Sequence, residues 1–166
     1  IQTRVETLDM KKLALLQKTK APVIQVGMGI ESGSKRILTE ICNRNMKITK
    51  LEESYRILRE EGFRTNAYYM MGFPTETREE VFQTIDLCSR VQSDIDSVSI
   101  VQPYPGLPIT NFAREKGFIK ENEKIPTFTE KSIIHQPTLS PEEVENLRRT
   151  FLLYAKLPKK YWPEVK

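Results

Sequence analysis

The sequence predicts an α/β protein with parallel strands, on three observations. Short apolar runs alternate with helix-period segments over the first two thirds of the chain. Each run ends in a turn rich in glycine or proline. The segments follow the order strand, turn, helix, with helix start and stop residues in place, as right-handed crossovers between parallel strands require.

A short strand around Thr3 to Val5 comes first. Asp9 then caps a helix through Leu13, Leu16 and Gln17, which ends near Ala21 and Pro22 because proline cannot continue it. Val23 to Met28 reads as a buried strand. The glycine-rich turn Gly27 to Ser34 leads into a helix with Ile37, Leu38 and Ile41 on one face. Thr49-Lys50-Leu51-Glu52 has the form of a capping box, and Leu51, Tyr55 and Leu58 make the core stripe of the helix that follows. Gly62 closes that helix as a left-handed cap.

Phe63 to Met71 is the next strand, broken by Gly72-Phe73-Pro74. Thr77 and Glu80 form a second capping box, for a helix buried through Val81, Ile85 and Cys88. Ser97 to Gln102 is a further strand, stopped by Pro103, Pro105 and Gly106, and a short helix runs from Ile109 to Lys116 with Gly117 as its cap. Residues 118–138 hold no sustained period and read as a crossing segment with a short strand at Ser132 to His135. Ser140, Pro141 and Glu143 start the last helix, with Val144, Leu147, Phe151 and Tyr154 on its inner face. No linker is evident; the natural division is 1–117 against a C-terminal extension, 118–166.

Composition narrows the function classes. With 166 residues, 39% of them hydrophobic, the chain can bury its own core. No apolar run approaches the roughly 20 residues of a membrane span, and Ile1-Gln2-Thr3-Arg4 is unlike a signal peptide, so a cytoplasmic location is expected. The net charge of +4 arises from 26 basic and 22 acidic residues interspersed along the chain, which argues against a nucleic-acid face. Lys156, Lys159 and Lys160 cluster, but Pro158 interrupts them. The two cysteines, Cys42 and Cys88, sit on helical stripes and read as small buried apolar groups.

Ligands of parallel α/β folds bind beyond the carboxyl ends of the strands, which singles out Gly29–Ser34, Gly72–Thr77 and Gln102–Pro108. The first loop nearly matches the dinucleotide fingerprint. Ser32 breaks it at the sixth position, and Glu52 and Glu53 fall at a helix start instead of a strand end, so a nicotinamide site is not expected. Glu31 and Glu76 could form a carboxylate pair for a hydrolase or lyase, although a glutamate near a helix start is commonly a dipole partner. His135, the single histidine, has no nucleophile motif beside it. A non-catalytic α/β interaction module is the third alternative.

Taken together, Gln2-Thr3-Arg4-Val5, Gly29-Ile30-Glu31-Ser32-Gly33-Ser34, Asn43-Arg44, Met71-Gly72-Phe73-Pro74-Thr75-Glu76-Thr77 and Pro103-Tyr104-Pro105-Gly106-Leu107-Pro108 resemble the radical S-adenosylmethionine (SAM) superfamily. The closest likeness is to its cobalamin-associated branch, which includes anaerobic magnesium-protoporphyrin monomethyl ester cyclase-like proteins. The resemblance implies an incomplete parallel (β/α) barrel running from the third to the sixth strand of a six-strand partial barrel. It places Glu31 against the ribose or methionine of SAM with Ser32 beside it, Arg44 near the SAM carboxylate, and Arg4 and Tyr68 at polar positions of the same cavity. Gly72 permits a tight loop, and Gln102, Pro103 and Tyr104 lie against adenine. Thr75 stands where the family commonly has glycine.

The family holds its cluster on a Cys-x-x-x-Cys-x-x-Cys loop after the first strand, and no such segment occurs here. The resemblance therefore implies a parent enzyme in which a [4Fe–4S] cluster cleaves SAM to a 5′-deoxyadenosyl radical that acts on a small-molecule substrate of tetrapyrrole-like character, and its branch suggests cobalamin as a further cofactor. This chain alone is expected to be inactive and to hold no cofactor tightly. Its partner would be the N-terminal half of the barrel, and the open strand edge could pair two copies of the chain.

Overall fold

Four strands form one all-parallel sheet in chain order: β1 (Gln2–Thr3), β2 (Gln25–Glu31), β3 (Arg64–Met71) and β4 (Ile95–Ile100). The computed structural model describes residues 1–19, 21, 24–120 and 123–165. Helix α1 (Met10–Gln17) joins β1 to β2, α2 (Ile48–Glu60) joins β2 to β3, and α3 (Arg78–Val91) joins β3 to β4; α4 (Pro108–Glu115) and α5 (Pro141–Lys156) follow the sheet.

Strand side chains alternate between faces. On one face Val26, Met28, Ile30, Ala67, Tyr69, Met71 and Ile100 are buried against Leu13 of α1, Leu51, Tyr55 and Leu58 of α2, Val81 and Ile85 of α3, and Val144, Leu147 and Phe151 of α5. The Tyr55 hydroxyl donates to the carbonyls of Met28 and Asn66, both at 3.1 Å, pinning α2 across two strands. Tyr69 and Phe151 rings meet at 5.6 Å, which fastens α5 to β3. The C-terminal helix thus shares the core of the sheet. The opposite face carries Gly27, Gly29, Glu31, Tyr68, Met70, Ser97 and Ser99, and it lines cavities instead of packing on a helix.

Several expected elements are corrected. The strand expected at Val23 to Met28 is displaced toward the C-terminus and reaches Glu31; Pro22 and Val23 themselves lie outside the described residues. Gly27 and Gly29 therefore sit inside a strand and not in a phosphate-cradling turn. The first strand is only Gln2–Thr3, and Val5–Thr7 turns into a 3-10 helix. The turn at Ile37–Ile41 is π-helical, which inserts one extra residue into the helical path without altering its apolar pattern. Thr49 caps nothing: α2 starts at Ile48 after Lys47, with no side-chain cap, so Thr49 is already inside the helix.

Ser97 to Gln102 forms its strand two residues earlier, at Ile95–Ile100. No strand forms at Ser132 to His135. Ile133 and Ile134 are buried, so their apolar run records burial and not sheet pairing. The boxes at Thr77/Glu80 and Ser140/Glu143 form completely, and Gly62 and Gly117 take φ of 78° and 71° as helix caps.

The loop after β2 presses directly on α3. A Cβ on Gly33 would lie 2.3 Å from the Gln83 carbonyl oxygen, and the Gly33 N–H donates to Thr84 Oγ1 at 2.9 Å. Both neighbours are backbone or tied to it, so neither can yield cheaply. Gly33→Ala is expected to destabilise the fold by about 1–3 kcal/mol and to lower the thermal midpoint by several degrees. An unchanged midpoint would show that the loop does not pack on α3 in this way.

Candidate functional site

The uncovered face owes its shape to two glycines and a bulge. Tyr68 on β3 leans over Gly27, where a Cβ would come within 2.8 Å of its ring, and Glu31 folds back over Gly29, where a Cβ would come within 2.3 Å of Oε1. Register shifts between Gly29 and Glu31, and Glu31 adopts φ 68°, a left-handed conformation that a residue with a side chain enters only under constraint. The bulge turns the carboxylate across the floor of the face.

Arg44 supplies the constraint. Its Nη1 donates to the Gly29 carbonyl at 3.0 Å and faces Glu31 Oε1 at 3.4 Å. Nε and Nη2 donate to Glu6 at 3.0–3.1 Å. Burial pushes the Glu31 carboxyl above the usual range; Arg44 and Arg4 pull it down and Glu6 adds to the rise. At Glu6 burial acts in the same raising sense, but its own backbone amide and Arg44 outweigh it and hold the carboxyl low.

Glu31 and Arg44 line a cavity of about 370 Å³ together with Gln2, Thr3, Arg4, Gly27, Gly29 and Tyr68. The Tyr68 hydroxyl accepts from Gln2 Nε2 and Asn66 Nδ2, both at 3.2 Å. Glu31 and Tyr68 are shared with a second cavity of about 810 Å³, lined also by Ile41, Met70, Phe73, Ser97, Ser99, Val101, Gln102, Tyr104, Ile109 and Phe128. Gln102 Nε2 donates to the carbonyls of Thr127 and Lys131, while its buried Oε1 has no partner among the described residues.

Arg4, Glu31, Arg44, Tyr68, Gln102 and Tyr104 are thus brought together. Ser32, Gly72 and Pro103 are not. The Ser32 hydroxyl faces Thr84 at 3.2 Å on the helix side, and Pro103 lines a separate cavity with Arg114 and Lys120. Gly72, at φ 80°, donates its N–H to Glu76 Oε2 at 2.6 Å. That contact also removes the Glu31–Glu76 acid/base pair: Glu76 is fully buried under the β3 loop, also accepts from the Phe73 N–H, and lines neither cavity.

Sequence reasoning missed Glu6, which stands in the 3-10 turn after β1, where strand alternation no longer applies. It also missed the supports of the β3 loop. Thr75 occupies φ 68° where a glycine would be at ease; Arg36 donates to its carbonyl at 2.9 Å and hydroxyl at 3.1 Å, and Gln136 accepts from its N–H. Arg36 also forks onto Glu80 at 2.7 and 2.9 Å. Gln136 gave no signal, since it lies in an aperiodic segment.

The family model of the radical SAM superfamily matches residues 1–88, which span the first three strands of this parallel sheet and most of α3. The chain belongs to that superfamily. It is 25% identical over 159 residues to the anaerobic magnesium-protoporphyrin IX monomethyl ester cyclase of Cereibacter sphaeroides, covering 93% of this chain and 26% of the cyclase. Coproporphyrinogen III oxidase (HemN) from Escherichia coli superposes with a TM-score of 0.65 at 21% identity, over 93% of this chain and 32% of that one. The radical SAM methyltransferase TsrM from Kitasatospora setae, solved with cobalamin and a [4Fe–4S] cluster bound, superposes with a TM-score of 0.59 at 19% identity, over 88% of this chain and 29% of that one. These structures share the fold. The chain spans about a quarter of the length of the curated relatives it matches.

The two cofactors of this superfamily fit the radical SAM chain differently. A [4Fe–4S] cluster needs several thiolates together. Cys42 lines the larger cavity and Cys88 lies in the core, burial pushes both thiols up to about 12, and no group of three metal-ligating side chains occurs among the described residues. The cluster does not fit these residues. The guanidinium, the carboxylate and the primary amide on this face are instead of the chemical kinds that pair with a ligand's carboxylate, its ammonium or hydroxyls, and a purine edge.

Glu76 makes the pH dependence of this loop testable. Burial pushes its carboxyl up to about 8 from an ordinary 4.5, against the pull of the Gly72 and Phe73 N–H groups. Unfolding in this interval releases a proton, so the contribution of Glu76 is most favourable below its unfolded pKa and declines as pH rises to about 8. Glu76→Gln keeps an acceptor for both N–H groups and cannot ionise. In urea titrations from about pH 5 to about pH 8.5, the variant should gain stability relative to the natural protein as pH rises. A difference independent of pH would contradict a buried, protonated Glu76.

Proposed function

We propose that this chain is the C-terminal half of the SAM-binding barrel of a radical SAM enzyme, and that the cluster-bearing strands lie in sequence flanking it. The observation that carries the reading is the joining of Arg4, Glu31, Arg44 and Tyr68 over the Gly27 and Gly29 floor, with Gln102 and Tyr104 in the adjoining cavity. Arg44 would take the SAM carboxylate and Glu31 the ammonium or ribose hydroxyls. Gln102, whose Oε1 has no partner among the described residues, and Tyr104 form the adenine side. Tyr68 and Arg4 bound the cavity, Gly72 allows the tight turn after β3, and Ser32 holds the β2 loop to α3. When bound together, cluster and SAM supply reductive cleavage of the sulfonium and hydrogen abstraction from substrate. The residues of this chain bind and orient the nucleoside and exclude water.

The edge of β1, which pairs only with β2, is where the rest of the barrel would add. The same edge would pair two copies of the isolated chain. The likeness to the cyclase and to a cobalamin-bound methyltransferase favours a small-molecule substrate and a cobalamin-linked parent. The larger cavity agrees with an apolar, tetrapyrrole-like face: Ile41, Met70, Phe73, Val101 and Ile109 line it, and Glu31 is the single charged residue in its lining among the described residues.

In the intact parent protein, Arg44→Lys should weaken SAM binding about tenfold by calorimetry, because an ammonium replaces a fork matched to a carboxylate. Glu31→Gln should weaken it by a similar factor. Unchanged affinity in both variants would exclude this face as the SAM site.

A further inference from the structure

Glu6 lies two residues beyond Arg4, at the turn where β1 becomes a 3-10 helix. It is an exposed residue, with 35% of its side chain open to water, yet its carboxylate takes the best-formed edge of a nearly buried guanidinium. Arg44 Nε donates to Glu6 Oε1 at 3.1 Å, and Nη2 donates to Oε1 and Oε2, both at 3.0 Å. The remaining nitrogen, Nη1, is directed at the Gly29 carbonyl and Glu31. All three guanidinium nitrogens are engaged. Nη2 also approaches Met46 Sδ at 3.8 Å, so a second carboxylate finds no open edge.

The two acids around Arg44 differ in what release would cost them. Glu31 is fixed by a bulge and lies over Gly29, whereas Glu6 stands on a short surface turn and returns to water by rotating its side chain. An ion pair whose carboxylate partner is about a third open to water is weak enough on that side to exchange. With Arg4 and Arg44 facing Glu6 and Glu31, the cluster is formally neutral, so adding a ligand carboxylate without removing one would leave an excess negative charge beside a buried cation.

We propose that Glu6 is an internal stand-in for the ligand's carboxylate: it occupies the Nε/Nη2 edge of Arg44 and is displaced when a carboxylate-bearing adenosyl ligand binds. The inference rests on the SAM reading given above. It makes Glu6 a determinant of selectivity. A ligand with a carboxylate must compete with Glu6, and in return receives a guanidinium already held in place by Gly29; an adenosyl compound without a carboxylate leaves the Glu6–Arg44 pair intact.

The test uses the intact protein and two stable probes, S-adenosylhomocysteine, which has the amino-acid carboxylate, and 5′-methylthioadenosine, which lacks it. Glu6→Gln should tighten S-adenosylhomocysteine about fivefold, as expected for removing a competing carboxylate that is partly open to water, and leave 5′-methylthioadenosine unchanged. Glu6→Ala should do the same, which guards against a new amide contact in the first variant. If both variants bind S-adenosylhomocysteine as the natural protein does or more weakly, or if both probes tighten equally, Glu6 is not a competitor and the proposal is overturned while the SAM reading stands. If neither probe binds the natural protein, both fall.

Discussion

The Arg44 guanidinium is the contact on which the rest of the site depends. Its side chain is 12% exposed, and a cation so far from water persists only when its nitrogens are engaged. Satisfying it ties two other segments to its own: the turn after β1 through Glu6, and the bulged end of β2 through the Gly29 carbonyl and Glu31. The π-turn at Ile37–Ile41 lies between β2 and Arg44, and its extra residue shifts the path by which Arg44 returns over the strand ends. Each of these features is unusual alone. Around one buried charge they become mutually consistent.

The two faces of the sheet divide the work. Apolar packing of Met28, Ala67, Tyr69 and Met71 against α2, α3 and α5 supplies stability, which leaves the other face free to carry glycines, strained residues and a carboxylate. Conformations such as φ 68° at Glu31 and at Thr75 cost of order 1–3 kcal/mol each and persist where surrounding contacts over-determine them. At Thr75 those contacts come from Arg36 and from Gln136, which also donates to the Phe73 carbonyl at 3.0 Å. The aperiodic segment thereby acts as a strap across the strand ends, Gln136 on the β3 loop and Gln102 in return holding Thr127 and Lys131.

Much of this was legible in the sequence. The order of strands and helices follows from alternating periods, and the boxes at Thr77 and Ser140 form because each Ser or Thr stands one residue before a helix that its own spacing defines. Thr49 fails for a local reason, because Lys47-Ile48 already starts the helix and a threonine within the first turn has no free N–H three residues on to serve. The Ser132–His135 run misleads because burial and pairing both select Ile, and only burial operates there. Arg4, Glu31, Arg44 and Tyr68 were legible through the family resemblance and meet in one cavity. The pairing of Arg44 with Glu6, and the strap by Gln136, join residues far apart in sequence through single side-chain contacts, which no local pattern encodes.

In the proposed reading the glycine-floored face is half of a cofactor site whose cluster ligands lie in flanking sequence, since Cys42 lines the larger cavity while Cys88 is buried in the core. The most direct measurement is a crystal structure of the intact protein with SAM. The amino-acid end of SAM is expected between Glu31 and Arg44, the nucleoside crossing Gly27 and Gly29 beneath Tyr68, and adenine against Gln102 and Tyr104. SAM bound elsewhere, with this face of the sheet left to solvent, would contradict this reading.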